Sequence, residues 1–356
     1  MDIIQFLYGI PVIGRVFQLA GYLIAVIPIS APALMRYMPT LALGALCGVM
    51  CERSGVVNIG IEGTMLAAAF TAWVVGIAAS GILGHGTPGL FGATLPLLIA
   101  LAAAVLVAVL ISTLHAWLSI TAKADQIISG TIINIAALGV TGYLNTIIAA
   151  TSPTSAGAFT RLAIPAGLTT LPGVGWIFAA LLNQGPLTLS VFVLVIGLQV
   201  WLFRTRWGLR TRAVGEHPKA AETVGIDVIR LRYRNVILGG VFAGLGGAYL
   251  SMEAGNSFQA NMTAGRGFIA LAAMILGRWT PVGAFLATLM FSLFLGLGQT
   301  IKFSPPTGDL KIMLQIPGQF YDALPYLVTI IVLAGVVGRS TPPAADGQPY
   351  EREAAA

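Results

Sequence analysis

Charge is scarce in this chain of 356 residues. Only 9% of them are Asp, Glu, Lys or Arg, while 57% are hydrophobic. A soluble domain carries about 25% charged residues, so a water-soluble globule of this length could not be covered. In a bilayer the missing polar surface is not needed, because lipid is the solvent. Cysteine is nearly absent too. Cys47 and Cys51 sit one helical turn apart on an apolar segment with no His or third Cys beside them. They provide no disulfide framework and read as small packing residues rather than metal ligands. No His, Asp or Glu cluster has metal spacing, and no Ser, His and Asp constellation is evident. None of the four lysines, Lys123, Lys219, Lys302 and Lys311, follows a glycine. The Gly-Lys of a phosphate-binding loop is therefore missing, and any ATP that drives this protein must be bound by another chain. No Lys or Arg precedes Arg15, which argues for a retained N-terminus rather than a secretory signal.

What is present is a series of long apolar runs. About 20 apolar residues cross the hydrocarbon core. Ten segments qualify as candidates: roughly 10–29, 34–50, 60–79, 90–120, 126–150, 187–203, 236–251, 268–276, 282–298 and 321–337. The first is diluted by Pro28 and by the Pro, Gly and Arg cluster before it. The eighth, bounded by Gly277 and Pro281, is too short for a straight span and reads as a half-helix or part of a bent element. The expected fold is an all-α integral membrane protein, a bundle of about ten transmembrane segments. Residues 1–33 form an N-terminal segment with the first span, 34–338 the membrane domain, and 339–356 a Pro- and Ala-rich tail expected to be disordered.

The net charge is +6 and the pI about 9.5, and eight of the 19 basic residues lie between Arg204 and Arg234. No basic patch with interleaved aromatics accompanies them, which argues against nucleic acid. By the positive-inside rule the 204–234 loop is cytoplasmic. Counting spans from it places Glu52, Arg53, Lys123 and Asp125 on the inner side and the loop Thr151–Gly185 outside. If the eighth segment crosses, Arg278 and Trp279 form an anchor at the inner interface and both termini come out inside; if it is re-entrant, the last two spans invert.

Three stretches carry information beyond hydropathy. In the basic loop, Pro218 suits a helix first turn with Glu216 or His217 near the cap, and Gly225 is a natural stop. This predicts a short helix over Lys219–Val224, which either fixes topology and meets anionic headgroups or docks a cytoplasmic partner. In Glu52–Leu66, glycines at 55, 60 and 63 interrupt an apolar region. Asn58 and Glu62 are four apart and share a face if helical. If the stretch is unwound, its backbone groups need water or a ligand. A carboxylate at such a place is a candidate for function, or else lies near the interface or pairs with an arginine. The third stretch, Glu253–Phe268, faces outward by the span count, as an ordinary solvated loop or the mouth of a pathway. His115 reads as a hydrogen-bonded packing residue.

Taken in order, four pieces resemble the permease subunits of bacterial ATP-binding cassette (ABC) importers for simple sugars, nucleosides and branched-chain amino acids. They are Glu52-Arg-Ser-Gly-Val-Val-Asn-Ile-Gly-Ile-Glu-Gly, Arg206-Trp-Gly-Leu-Arg, Ala213-Val-Gly-Glu with Ala220-Ala-Glu-Thr-Val-Gly-Ile, and Gly265-Arg-Gly-Phe through Gly277-Arg-Trp-Thr-Pro. The nucleoside or simple-sugar type is nearest. The resemblance runs from about Leu34 to Val337 and implies a bacterial inner-membrane subunit without enzymatic activity. It implies a separate ATPase that holds ATP and magnesium, a second permease that is often a different chain, and an external solute-binding protein. It makes the short helix a coupling helix, with Gly215, Glu216, Lys219, Ala220, Ala221, Glu222 and Gly225 at the ATPase. It also puts Asn58, Gly60, Glu62 and Gly63 near the translocation pathway, where an uncharged nucleoside needs amide and carboxylate partners. An ion-gradient carrier with Glu62 as proton site is the rival reading.

Overall fold

The computed structural model describes residues 11–84, 86–149, 157–171, 174–305, 315–331 and 340–351. All regular structure among them is helical: α1 (Pro11–Glu52), α2 (Ile61–Leu83), α3 (Leu95–Ala116), α4 (Gln126–Ala149), α5 (Ala166–Thr169), α6 (Gly175–Leu182), α7 (Pro186–Arg204), α8 (Arg206–Glu216), α9 (Pro218–Thr223), α10 (Val228–Met252), α11 (Arg266–Leu276), α12 (Pro281–Phe303) and α13 (Gly318–Ile331). Single 3-10 and π turns lie at 90–92 and 117–121.

Seven helices are long and apolar enough to cross a membrane: Ile24–Glu52, Ile61–Leu83, Leu95–Thr121, Gln126–Ala149, Pro186–Arg204, Val228–Met252 and Pro281–Ile301. The count of about ten is thus not reached among the described residues. The first two runs merge because α1 continues through Pro28, Pro32 and Pro39. Proline is tolerated in membrane helices where neighbouring groups take up the freed backbone atoms. The eighth run is the 11-residue α11. The tenth is seen as the 14-residue α13, and its end at 332–337 lies outside the described residues.

The chain divides into two compact units, one of Met1–Met38, Ala163–Asn183 and Leu289–Ile331, the other of Pro39–Leu162, Gln184–Thr288 and Val332–Ala356. In the smaller unit the Tyr22 hydroxyl donates to the Ser304 carbonyl at 2.8 Å.

The larger unit is built around α2, α3 and α10. Small residues mediate its packing, as expected where helices approach without a hydrophobic drive. Ala100, Ala104, Ala108 and Ser112 form an i, i+4 stripe on α3, each almost fully buried. A β-carbon on Gly244 of α10 would come within 2.8 Å of Val105 Cα, and one on Gly240 within 2.6 Å of Ser112 Oγ. Large apolar side chains point the other way: Leu106, Leu110, Ile128, Ile132, Ile135, Val193 and Ile196 are all exposed. A bundle with polar and small residues inside and Leu and Ile outside is arranged for lipid.

Candidate functional site

Polar groups gather in two places in the larger unit. The first is the break between α1 and α2. Residues 53–60 are non-helical, and the protein itself supplies their partners. The Val57 N–H donates to Gln126 Oε1 at 2.7 Å. The Val57 carbonyl lies 3.0 Å from His115 Nε2, and His115 Nδ1 pairs with Ser129 Oγ at 3.0 Å. Asn134 clamps the other end, donating from Nδ2 to the Ile59 carbonyl (3.0 Å) and accepting at Oδ1 from the Gly63 N–H (2.7 Å). Gln126 and Asn134 escaped the sequence reasoning. The available signal was their spacing with Gly130, four residues at a time, which puts all three on one face of α4.

The predicted pathway residues are turned into this packing. Asn58 is buried, its Nδ2 3.6 Å from Cys51 Sγ and 3.9 Å from Cys47 Sγ. A β-carbon on Gly60 would lie 3.3 Å from Gly130 Cα, and one on Gly63 2.7 Å from both Asn134 Cα and the Ile133 carbonyl oxygen. The two glycines let α4 touch the broken backbone. Glu62, 8% exposed, caps the start of α11, accepting from the Gly265 N–H at 2.8 Å and the Gly267 N–H at 2.5 Å. A carboxylate at a helix N-terminus meets both the orphan donors and the positive end of the helix dipole.

Helix α11 therefore begins inside the bundle. Glu62 precedes by one residue Gly63, whose partner Asn134 is two turns into α4, about 12 Å along its axis. From there α11 runs to the turn at Gly277–Thr280, where the Trp279 indole donates to Glu52 Oε2 at 2.6 Å. Arg53 closes that turn, with Nε on the Trp279 carbonyl (2.7 Å) and Nη2 on the Arg278 carbonyl (3.0 Å). Arg278 and Trp279 have φ of 54° and 52°, a left-handed pair that such bonds hold in place. Trp279 is 4% exposed, so it is a packing residue and not the interfacial anchor expected for it. Glu253 makes a similar cap at the start of α7, where its carboxylate accepts from the Leu187 and Thr188 N–H groups at 2.7 and 3.1 Å. Burial raises its pKa, against the hydrogen bonds from Thr188 and Leu187.

The second place is the basic loop between α7 and α10, and it holds two helices where one was expected. The Thr205 side chain accepts from the Gly208 N–H at 3.2 Å and starts α8. Trp207 Nε1 donates to Asn235 Oδ1 (3.2 Å), and Asn235 Nδ2 to Thr211 Oγ1 (3.1 Å), which pins α8 to α10. The next helix, α9, covers Pro218–Thr223, with Pro218 in its first turn and Gly225 at φ 84° beyond its end. The Gly225 N–H donates to the Glu222 carbonyl (2.8 Å) and the Ile226 N–H to that of Ala221 (3.1 Å), a left-handed glycine stop. Ala221 faces inward at 5% exposure, packed with Val214, Val228, Leu231 and Tyr350. Lys219, Ala220, Thr223 and Val224 face out, Val224 at 75%.

Residues 340–351, expected to be disordered, are instead laid along this loop. Disorder follows from composition only when a segment finds no surface to bury against, and here Ala345 and Tyr350 are both buried. The Ala345 N–H donates to the Gly215 carbonyl at 2.8 Å, and the Ala344 N–H to Glu216 Oε2 at 3.1 Å. The Tyr350 hydroxyl donates to Glu222. Arg232 Nη1 donates to the Gln348 carbonyl at 2.9 Å. Between this segment and the start of α9 lies a cavity of about 920 Å³. Burial lifts the Asp346 carboxyl to about 6, against the pull of a hydrogen bond with Glu52, the Gly347 N–H and the Arg232 charge.

The family model described as branched-chain amino acid transport system / permease component matches residues 30–333. The guanosine ABC transporter permease protein NupQ of Bacillus subtilis is 37% identical over 332 residues, 92% of this chain and 98% of that protein. The nucleoside ABC transporter permease protein NupC of Lactococcus lactis is 35% identical, over 89% of this chain and 95% of its own length. A putative glucose ABC transporter permease protein, TsgC13 of Haloferax volcanii, is 33% identical over 90% and 97%. No solved structure matches.

Proposed function

The chain belongs to the family of branched-chain amino acid transport system permease components, and from that premise we propose that this permease subunit of an ABC importer carries a nucleoside, driven through α9 by a separate ATPase. That it is a multi-pass membrane permease and a transport component follows from the family and the seven spans. The substrate class rests on the nucleoside transporters that match nearly end to end. A glucose permease matches over a similar length at lower identity, so a simple sugar is the neighbouring class.

The observation that carries the coupling role is α9. It is six residues long, stands outside every span, starts on Pro218 and is stopped by the left-handed Gly225. An isolated helix of that length is marginal in water, so a chain that builds and braces one has a use for its rigidity. Its outward side offers Lys219, Ala220 and the apolar Val224 to a groove on the ATPase. ATP and magnesium then belong to that partner. The complex also needs a second permease, in our reading a different chain, and an external solute-binding protein. The basic loop, and both termini with it, face the cytoplasm across the bacterial inner membrane, where anionic lipid adds to the hold.

Asn58, Gly60, Glu62 and Gly63 serve this pathway by fixing the two broken elements, α1–α2 and α11. A proton-carrying Glu62 is not favoured, since both its oxygens cap α11.

The test is Ala221→Pro. It removes the Ala221 N–H bond to the His217 carbonyl, 3.0 Å in the native helix, and costs about 3 kcal/mol in a helix interior. Uptake should be lost and ATPase copurification weakened while the spans insert normally. Full uptake and full copurification would remove α9 from the coupling path.

A further inference from the structure

Three of the seven residues assigned to the ATPase contact are hydrogen-bonded to residues 344–350. The Gly215 carbonyl is taken by the Ala345 N–H, Glu216 by the Ala344 N–H, and Glu222 by the Tyr350 hydroxyl. We propose that residues 340–351 are a positioning strap for the coupling helix, tying α9 to the break between α1 and α2 so that a push on α9 reaches the spans. This rests on the coupling role of α9 given above.

Besides α8, which it meets at Gly215 and Glu216, and α11, where Ser340 Oγ donates to the Ile275 carbonyl at 2.8 Å, the strap touches α9, α10 and the break. On α9 its Tyr350 bonds Glu222 and joins Ala221, Val214, Val228 and Leu231 in one apolar cluster. On α10 it meets Arg232, a side chain 1% exposed, through the Gln348 carbonyl and by the Tyr350 ring, whose centroid is 5.9 Å from the guanidinium. At the break it covers Gly55 (φ 86°), where a β-carbon would come within 2.9 Å of the Ala345 carbonyl oxygen and 2.7 Å of Arg232 Nη2. Gly347 passes over Val57. Val57 is the residue held by His115 and Gln126, so the strap ends one short step from the clamp that organises α3 and α4. A further ion pair, Lys123 with Glu351 at 2.7 Å, is solvent-exposed and adds little.

Without the strap, α9 loses the Tyr350 bond to Glu222 and the Tyr350 ring packed beside the Ala221 methyl. A six-residue helix so loosened would tilt under load instead of transmitting it. Ala220 and Val224 stay exposed with the strap in place, so positioning and docking use different sides of the same helix.

The experiment uses the assembled importer in liposomes, with the chain ended after Ser340 and, separately, with Tyr350→Ala and Tyr350→Phe. Import rate, ATP hydrolysed per molecule imported and ATPase copurification are measured for each. Truncation and Tyr350→Ala should leave the ATPase bound. Import should fall about tenfold, the scale of one lost hydrogen bond, and the ATP used per molecule imported should rise. Tyr350→Phe keeps the ring over Arg232 and should fall between Tyr350→Ala and the native chain. Native import and native stoichiometry in the truncated chain would overturn the strap. Loss of the whole complex on truncation, with both Tyr350 variants behaving as native, would overturn it too, because the tail would then serve folding and not coupling. Ala221→Pro, run beside them, reports on α9 alone: native import there overturns the coupling helix, whereas failure there with native import in the truncation overturns only the strap.

Discussion

The break at 53–60, taken with the first turn of α2, and the loop at 204–227 both interrupt the long helices, are glycine-marked and rich in polar groups, yet they are finished in opposite ways. In the break, Val57, Ile59, Gly63 and Glu62 all find partners inside the bundle. In the loop, α9 is stopped by Gly225 and braced on one side and left open on the other, with Val224 exposed at its end. Within a membrane every backbone group must be satisfied from within. At the water-facing end that constraint lapses, and a surface can be kept free for a partner. The glycines show the same contrast. Gly63 has no space around it, whereas Gly225 has nothing within 4 Å of a β-carbon but a φ of 84°.

The sharpest way to break the comparison is therefore to put the same side chain at both. Gly63→Val should prevent folding. Its β-carbon would meet α4 backbone at 2.7 Å, which no rotamer relieves, and the cost should exceed the roughly 1–3 kcal/mol of ordinary overpacking. The yield of monodisperse protein from membranes measures this, and a native yield would mean that α4 does not sit against the break. Gly225→Val should leave that yield unchanged and lower uptake instead, because the strain of about 1–2 kcal/mol stays local to the helix stop.

A smaller effect is expected at Glu62. In Glu62→Gln one carboxylate oxygen becomes an amide NH₂ that faces the Gly265 or Gly267 N–H. The loss of about 1–3 kcal/mol should appear as a lower melting temperature in detergent, with substrate affinity unchanged. Lowered affinity at native thermal stability would return Glu62 to the pathway wall.

The smallest effect should be seen in the strap. Its buried Asp346 is raised from 3.8 to about 6, so the docked form holds the proton more tightly than the free tail does. The docking that this supplies is complete below about pH 4 and is lost as pH rises through 6. Hydrogen exchange of residues 343–350, corrected for intrinsic rates, should be severalfold faster at pH 7.5 than at pH 5. Asp346→Asn should flatten that dependence. Equal protection at both pH values in the native chain would mean that Asp346 is not buried against Glu52 and the break.

Much of the basic loop was legible in the sequence, because its signals are local. Pro218 and Gly225 mark the ends of a helix wherever it lies, and α9 differs from the predicted helix by one residue at each end. Helix α8 was missed although its cap, Thr205 before Gly208, was there to be read. The break was located by its glycines, but the partners of its backbone were not. Free backbone groups were expected to need water or ligand, and they are met by His115, Gln126 and Asn134, up to 75 residues away.

By itself the sequence determined that this chain is a helical membrane protein and where most of its spans run. It also determined that a rigid basic loop stands between two of them. Hydropathy, caps and charge act over one helix at a time, and twenty apolar residues in succession leave a segment no other stable state in a bilayer. Only the tertiary structure decided that Glu62 closes α11, 203 residues later, and that Tyr350 reaches Glu222, 128 residues before it. Such pairs leave no periodic trace. Each is an ordinary polar residue until the packing of other helices removes its water, and only then does the nearest unpaired donor or acceptor fix what it does.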